Sequence, residues 1–169
     1  RRWGRDTAGF EKCEVTRYGG AVWKVYRCAD PGLWLRVEIA SRSPRGTPVR
    51  SWYDNGNVIC GWSEEDMGDL ARPSPADAWI AYREHGRYLA RLGYVDIDPS
   101  LPNWTQTADG PRTFDKNGVM ALREVTPERV RAWRTCYDQH PLGASAEQLA
   151  AITAALEARD SVMLEAALA

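Results

Sequence analysis

The sequence predicts a single α+β domain spanning residues 1–169: an N-terminal antiparallel β-meander of about five strands over 1–62, packed with three to four C-terminal helices over 63–169. Three observations predict it. Turn dipeptides and two-residue alternation dominate the first third, whereas the remainder shows helical periodicity behind recognisable caps. Charge divides the same way: residues 1–62 hold eleven Lys/Arg against six Asp/Glu, and residues 63–169 hold eleven against seventeen.

Residues 11–18 and 22–28 read as strands around Gly19-Gly20-Ala21, with Val15 facing Val25 and Arg17 facing Trp23. Asp30-Pro31-Gly32 is a turn. Over 33–40, Leu33, Leu35, Val37 and Ile39 alternate with Trp34, Arg36, Glu38 and Ala40, which predicts a third strand. A basic loop covers 41–48. Strands over 49–53 and 58–62 flank Asp54-Asn55-Gly56-Asn57, where Asn-Gly suits a tight turn and pairs Tyr53 with Val58 and Trp52 with Ile59.

The acidic segment 63–73 (Glu64, Glu65, Asp66, Asp69) is irregular. A helix then starts at Ser74 as N-cap with Pro75 in its first turn and ends at Gly93; Ala78, Tyr82, His85, Leu89 and Leu92 form its apolar stripe. Pro99, Pro102 and Pro111 mark 94–111 as loop, and 112–123 reads as a small hairpin around Lys116-Asn117-Gly118. A second helix begins at Thr126-Pro127 and runs to about residue 138. Ser145 and Gln148 form a capping box before a third helix with Leu149, Ile152 and Leu156 inward; Asp160-Ser161 breaks it ahead of a last short helix.

Composition excludes several classes. Apolar residues at 44% and charged residues at 27% exclude wholesale disorder. No apolar run approaches the roughly 18 residues of a membrane span, so neither a membrane helix nor a membrane partner is expected. The start at Arg1-Arg2-Trp3 has no signal-peptide pattern, which suits a cytoplasmic chain or one beginning inside a longer protein. Arg outnumbers Lys nineteen to three, a skew that suits a phage or mobile element of a GC-rich host. The four cysteines lack C-x-x-C pairing, so reduced thiols are expected.

Chemical motifs are sparse. Cys136 and His140 are four apart, but no second ligand pair accompanies them, so no metal is assigned. Asp96 and Asp98 form an Asp-x-Asp that could hold a hard cation or simply build a turn. His85 lies on an apolar stripe, which suits a core histidine. No nucleophile elbow, phosphate loop or cofactor fingerprint occurs, so no catalytic residue and no cofactor are assigned.

Two surfaces suit a partner. A common face of the predicted sheet would present Lys24, Tyr26, Trp34, Arg36, Glu38, Arg50 and Trp52, aromatic and basic groups that suit single-stranded nucleic acid or an acidic protein patch unless helices cover them. Trp79, Arg83, Arg87 and Arg91 make a helix stripe that needs an anionic answer from a partner or from within the chain. The expectation is therefore a non-enzymatic binding or regulatory protein that engages a protein partner through Trp34, Arg36, Arg50, Trp52, Trp79, Arg83, Arg87 and Arg91. The alternatives are single-stranded nucleic-acid binding by the sheet face and a metal-dependent hydrolase on Asp96 and Asp98.

Overall fold

Two glycines set the first strand pair. Gly19 and Gly20 both have positive φ, 61° and 73°, which closes a two-residue hairpin between β1 (Glu14–Tyr18) and β2 (Ala21–Arg27). Tyr18 therefore pairs with Ala21, and Val15 lies opposite Lys24 instead of the predicted Val25. The computed structural model describes residues 13–27, 32–56, 59–68, 71–116 and 118–169. The predicted Asp30-Pro31 turn, the Val58 pairing and Cys28 lie outside them.

Residues Leu33–Ser41 form a helix, α1, and not the predicted strand. A strand would bury Leu33, Leu35, Val37 and Ile39 together. The helix instead buries Leu33, Val37 and Ala40, at spacings of four and three, and leaves Leu35 43% exposed. A short run of Leu, Arg, Glu and Ala satisfies both periods, and these residues favour helix.

β3 (Ser51–Asn55) and β4 (Ile59–Glu65) pair with Asn55 opposite Ile59 and Trp52 opposite Trp62, three positions from the predicted register. β4 also pairs along its whole length with β2, from Ala21↔Glu65 to Arg27↔Ile59. The expected α+β class, an N-terminal antiparallel sheet followed by helices, is thus what forms; the sheet has four strands in the order β1-β2-β4-β3, with α1 inserted between its halves.

α2 (Pro75–Arg91) follows its predicted start: Ser74 accepts from the Asp77 amide and Pro75 opens the first turn. Ala78, Tyr82, His85 and Leu89 are buried as predicted, whereas Leu92, at the C-cap, is exposed. The segment read as loop carries β5 (Tyr94–Asp96), a 3-10 turn at Leu101–Asn103 and the hairpin of β6 (Trp104–Thr107) and β7 (Gly110–Thr113). Asp109-Gly110 is its turn signal, and Pro111 sits on a two-stranded ribbon where its missing N–H is tolerated. β8 (Val119–Ala121) pairs with β5, so the predicted hairpin around Lys116 does not form.

α3 (Pro127–Gln139), α4 (Ala146–Ala158) and α5 (Ser161–Ala167) start at Thr126, at the Ser145/Gln148 capping box and at Asp160. No helix among the described residues is long and apolar enough to cross a membrane.

Two cores result. The larger one lies in the helical half and contains Trp79, Tyr82, Trp104, Trp133, Tyr137, Ile152 and Leu156. The smaller one packs Leu33 and Val37 of α1 against Tyr26, Cys60 and Trp62 of the sheet, with the Tyr26 and Trp62 rings stacked 5.1 Å apart. Ala40, Leu89 and Val119 seat the end of α1 on α2 and β8. Between the two halves lies a cleft.

Candidate functional site

The cleft holds a cavity of about 640 Å³. Val15 and Val22 of the first hairpin form part of its wall, the Glu64–Gly68 stretch its rim, and Trp104 and Phe114 its other side. Lys24 reaches it from the middle of β2, two residues from Val22 and so on the same face. The Lys24 ammonium donates to the Phe114 carbonyl, lies 5.0 Å from the Phe114 ring centre and stands 3.4 Å from Glu64 Oε1.

Glu64 is the centre of a buried polar cluster. Its Oε1 accepts from Trp62 Nε1 at 2.8 Å and from Lys116 Nζ at 2.7 Å, and its Oε2 accepts from the Thr47 hydroxyl at 2.5 Å. Lys116 is fully buried and also donates to Thr47 Oγ1 at 2.6 Å. Burial alone would raise the Glu64 carboxyl, but the Lys116 and Lys24 charges, with hydrogen bonds from Lys116 and Thr47, hold it below the usual carboxylate range. Burial lowers Lys116 to about 8, against the opposing pull of Glu64.

A second cluster supports the loop after β5. The Asp96 carbonyl accepts from the Tyr82 hydroxyl at 2.8 Å, and Asp96 Oδ1 accepts from the Asp98 amide at 3.0 Å. Asp96 Oδ2 lies 3.5 Å from His85 Nε2, and His85 Nδ1 is 2.6 Å from Ser43 Oγ. Burial raises the Asp96 carboxyl, opposed by the adjacent His85. His85 is thus a core histidine hydrogen-bonded at Nδ1 to Ser43, with the Asp96 carboxylate near a buried Nε2 that makes no hydrogen bond, consistent with its place on the apolar stripe.

Half-buried Asp98 accepts from the Ser100 amide at 3.3 Å and from the Ser100 hydroxyl, and its carbonyl accepts from Asn103 Nδ2 at 3.2 Å. The Phe114 amide donates to the Asn103 carbonyl at 3.3 Å, closing the base of the β6–β7 hairpin. These bonds link Lys24, Phe114, Asn103 and Asp98 in one chain of contacts, with Asp115 directly after Phe114. The cavity itself is lined by the cations Arg17, Lys24 and Arg72, the carboxylates Glu64, Glu65 and Asp66 and an apolar remainder, and Asp98, Asn103 and Asp115 connect to it through Phe114, an arrangement suited to a ligand with a charged end and an apolar body.

The residues singled out from sequence do not form one surface. Lys24 and Tyr26 are buried, and Trp34, Arg36 and Glu38 ride on α1, so the predicted aromatic and basic sheet face does not exist. The Trp34 ring lies edge-on to Trp52, which in turn leans on Trp62. Arg50 pairs with Glu65 at 3.5 Å on the surface. On α2, Trp79 is buried and stacks on Tyr82, Arg83 donates to the Leu168 and Ala169 carbonyls, Arg91 pairs with Glu165 at 2.6 Å, and Arg87 is half-buried. α5 answers Arg91, and the two residues that follow α5 answer Arg83. Asn103, Phe114, Asp115 and Lys116 carried no assignment from sequence.

No protein-family model matches the chain, and no curated protein matches it in sequence. Solved structures do. The kinase PK-1 of Cydia pomonella granulovirus superposes with a TM-score of 0.51 at 12% identity, over 97% of this chain and 67% of the viral one. A divergent kinase lacking the glycine-rich loop, which regulates membrane ultrastructure of the Toxoplasma parasitophorous vacuole, aligns with a TM-score of 0.45 at 17% identity, over 86% of this chain and 61% of its own. The first likeness shows a protein-kinase-like fold. It overturns the expected non-enzymatic, protein-binding role. The physical reason is that Lys24 and Tyr26, expected on an open sheet face, are internal, and Asp96 serves to brace its own loop.

Proposed function

We propose that the cleft binds a nucleoside triphosphate and that the chain transfers its terminal phosphoryl group to a hydroxyl acceptor. The observation that carries this reading is that Lys24, Pro102 and Phe114 line a 640 Å³ cavity in a kinase-like fold, with Asp98 and Asn103 hydrogen-bonded in sequence to Phe114 and Asp115 next to it in the chain. In protein kinases a strand lysine holds the nucleotide phosphates, a catalytic-loop Asp accepts the hydroxyl proton, and an Asn five residues later joins a second Asp in holding Mg²⁺. Lys24, Asp98, Asn103 and Asp115 occur in that chain order and with that Asp-to-Asn spacing.

The chain departs from that pattern in its motifs. The first hairpin has only Gly19-Gly20, Asp96-Ile97-Asp98 stands where His-Arg-Asp is usual, and Asp115-Lys116 stands where Asp-Phe is usual. A cavity of this size suits the base and sugar of a nucleotide. Val15, Val22 and Trp104 would sandwich the base, and Lys24 would turn from the Phe114 carbonyl to a phosphate oxygen. Asp98 would orient the acceptor hydroxyl and take its proton.

Asp115 and Asn103 offer a carboxylate and an amide oxygen, and the described residues hold no cluster of three or more His, Cys, Asp or Glu. That donor set fits Mg²⁺, which takes one or two carboxylates with phosphate and water, and which would neutralise phosphate charge when bound.

The test is titration with a fluorescent ATP analogue, followed by assay of γ-phosphoryl transfer to water or to small hydroxyl acceptors. Lys24→Met should weaken binding at least about tenfold, and Asp98→Asn should keep binding while losing transfer. Absence of nucleotide binding by the unaltered protein rejects the reading.

A further inference from the structure

In protein kinases the carboxylate that partners the strand lysine comes from a mobile helix, and placing that helix controls activity. Here the helix in the corresponding place is α1, and its one glutamate, Glu38, pairs with Arg42 at 3.2 Å on the surface. The partner of Lys24 is Glu64, which is fixed in strand β4 with both neighbours paired to β2. Glu64 carries a second lysine closer than the first, Lys116 at 2.7 Å against Lys24 at 3.4 Å. Lys116 directly follows Asp115.

We propose that Lys116 is a positioning residue: by docking on Glu64 and Thr47 it fixes the Phe114-Asp115 corner, whose Phe114 lines the cleft, so that the corner is held by the sheet without a carboxylate from α1. This rests on the nucleotide-binding reading above for its purpose, though not for its geometry. The surrounding chain is pinned to match. The Ile97 amide donates to the Gly118 carbonyl at 3.0 Å, Thr113 exchanges backbone hydrogen bonds with Arg45 and Thr47, and the Leu122 amide donates to the Gly93 carbonyl at 2.8 Å. Between Asp115 and the α3 cap at Thr126 the sequence contains no Ser, Thr or Tyr, so that stretch offers no hydroxyl for a phosphorylation switch. Since Lys116 already neutralises Glu64, Lys24 can leave its carboxylate for a phosphate without stranding a buried charge.

Three variants test this: Lys116→Met, Thr47→Val and Glu38→Ala. Hydrogen exchange over residues 108–121, read without nucleotide, should speed up at least about tenfold in Lys116→Met and less in Thr47→Val, while α2 and α3 stay protected. A fluorescent ATP analogue titrated with and without Mn²⁺ supplies the second readout. Lys116→Met should keep metal-free affinity within about threefold while raising the Mn²⁺ needed by about tenfold or more, a split that a general loss of packing would not produce. Glu38→Ala should change neither.

A tenfold loss of nucleotide affinity in Glu38→Ala overturns the proposal, as does unchanged exchange and Mn²⁺ dependence in Lys116→Met. Should Lys116→Met not fold, Thr47→Val and Glu38→Ala decide by the same readouts. Failure of the unaltered protein to bind nucleotide rejects the functional reading alone, because the exchange measurements still judge Lys116.

Discussion

Replacing Glu64 by Gln removes the one negative charge shared by two lysines while preserving shape. In the native protein Glu64 accepts from Trp62, Thr47 and Lys116 and lies 3.4 Å from Lys24, with its side chain only 4% exposed. The variant leaves the wholly buried Lys116 ammonium facing a neutral amide. Breaking a buried pair from one side costs about 3–5 kcal/mol, a large part of the roughly 5–15 kcal/mol that stabilises an ordinary domain. Urea unfolding followed by tryptophan fluorescence at pH 7 should show that loss, and the melting temperature should fall on the order of 10 °C. Acid supplies an independent check. The Glu64 carboxyl is held below its unfolded value, so its contribution is present above the unfolded pKa of about 4.3 and is lost as pH falls through the folded one. The unaltered protein should therefore lose stability from pH 5 downward more steeply than Glu64→Gln. A variant within about 1 kcal/mol of the original at pH 7, with a parallel acid limb, would refute the claim that Glu64 holds the cluster together.

Tyr82→Phe deletes a hydroxyl that accepts from Trp133 Nε1 at 2.9 Å and donates to the Asp96 carbonyl at 2.8 Å; with two buried groups left unpaired, denaturant unfolding should show a loss of about 2–4 kcal/mol. Gly61→Ala places a methyl 2.8 Å from the Lys24 carbonyl, so the β2–β4 pair must separate locally. The expected cost is about 1–3 kcal/mol in thermal unfolding, with weaker nucleotide binding because Lys24 moves with its strand.

Features encoded over three or four residues were legible in the sequence. Ser74, Thr126, Ser145 with Gln148, and Asp160 each announce a helix start, and each caps one in the structure. α1 was not legible, because its eight-residue alternation satisfies a strand as well as a helix and only the position of α2 and β8 decides between them. The site was not legible either, because Lys24, Thr47, Glu64, Asp98 and Lys116 come from five separate segments that meet only in the fold. Two signals were nevertheless present. In a chain with nineteen arginines and three lysines, two of those lysines converge on Glu64, each as a compact ammonium. The interval from Asp98 to Asn103 was the second, masked because Pro99 and Pro102 read as loop breakers.

The segment after α1 has a mechanical consequence. The Thr47 amide donates to the Thr113 carbonyl at 3.1 Å, the Thr113 amide donates to the Arg45 carbonyl at 2.8 Å, and Arg112 reaches the Gly46 carbonyl at 3.1 Å. Arg45 also pairs with Glu84, and Ser43 meets His85. The Ser43–Thr47 segment thus stitches the two halves at successive points, beside the Lys24–Phe114 and Lys116–Glu64 contacts that also cross between them. Through Thr47, which bonds both Glu64 and Lys116, the buried cluster is tied to that same stitched segment. Among the described residues the Asp66–Gly68 rim of the cavity has no such tie to Ser43–Thr47, so the floor of the cleft is cross-braced where its rim is not.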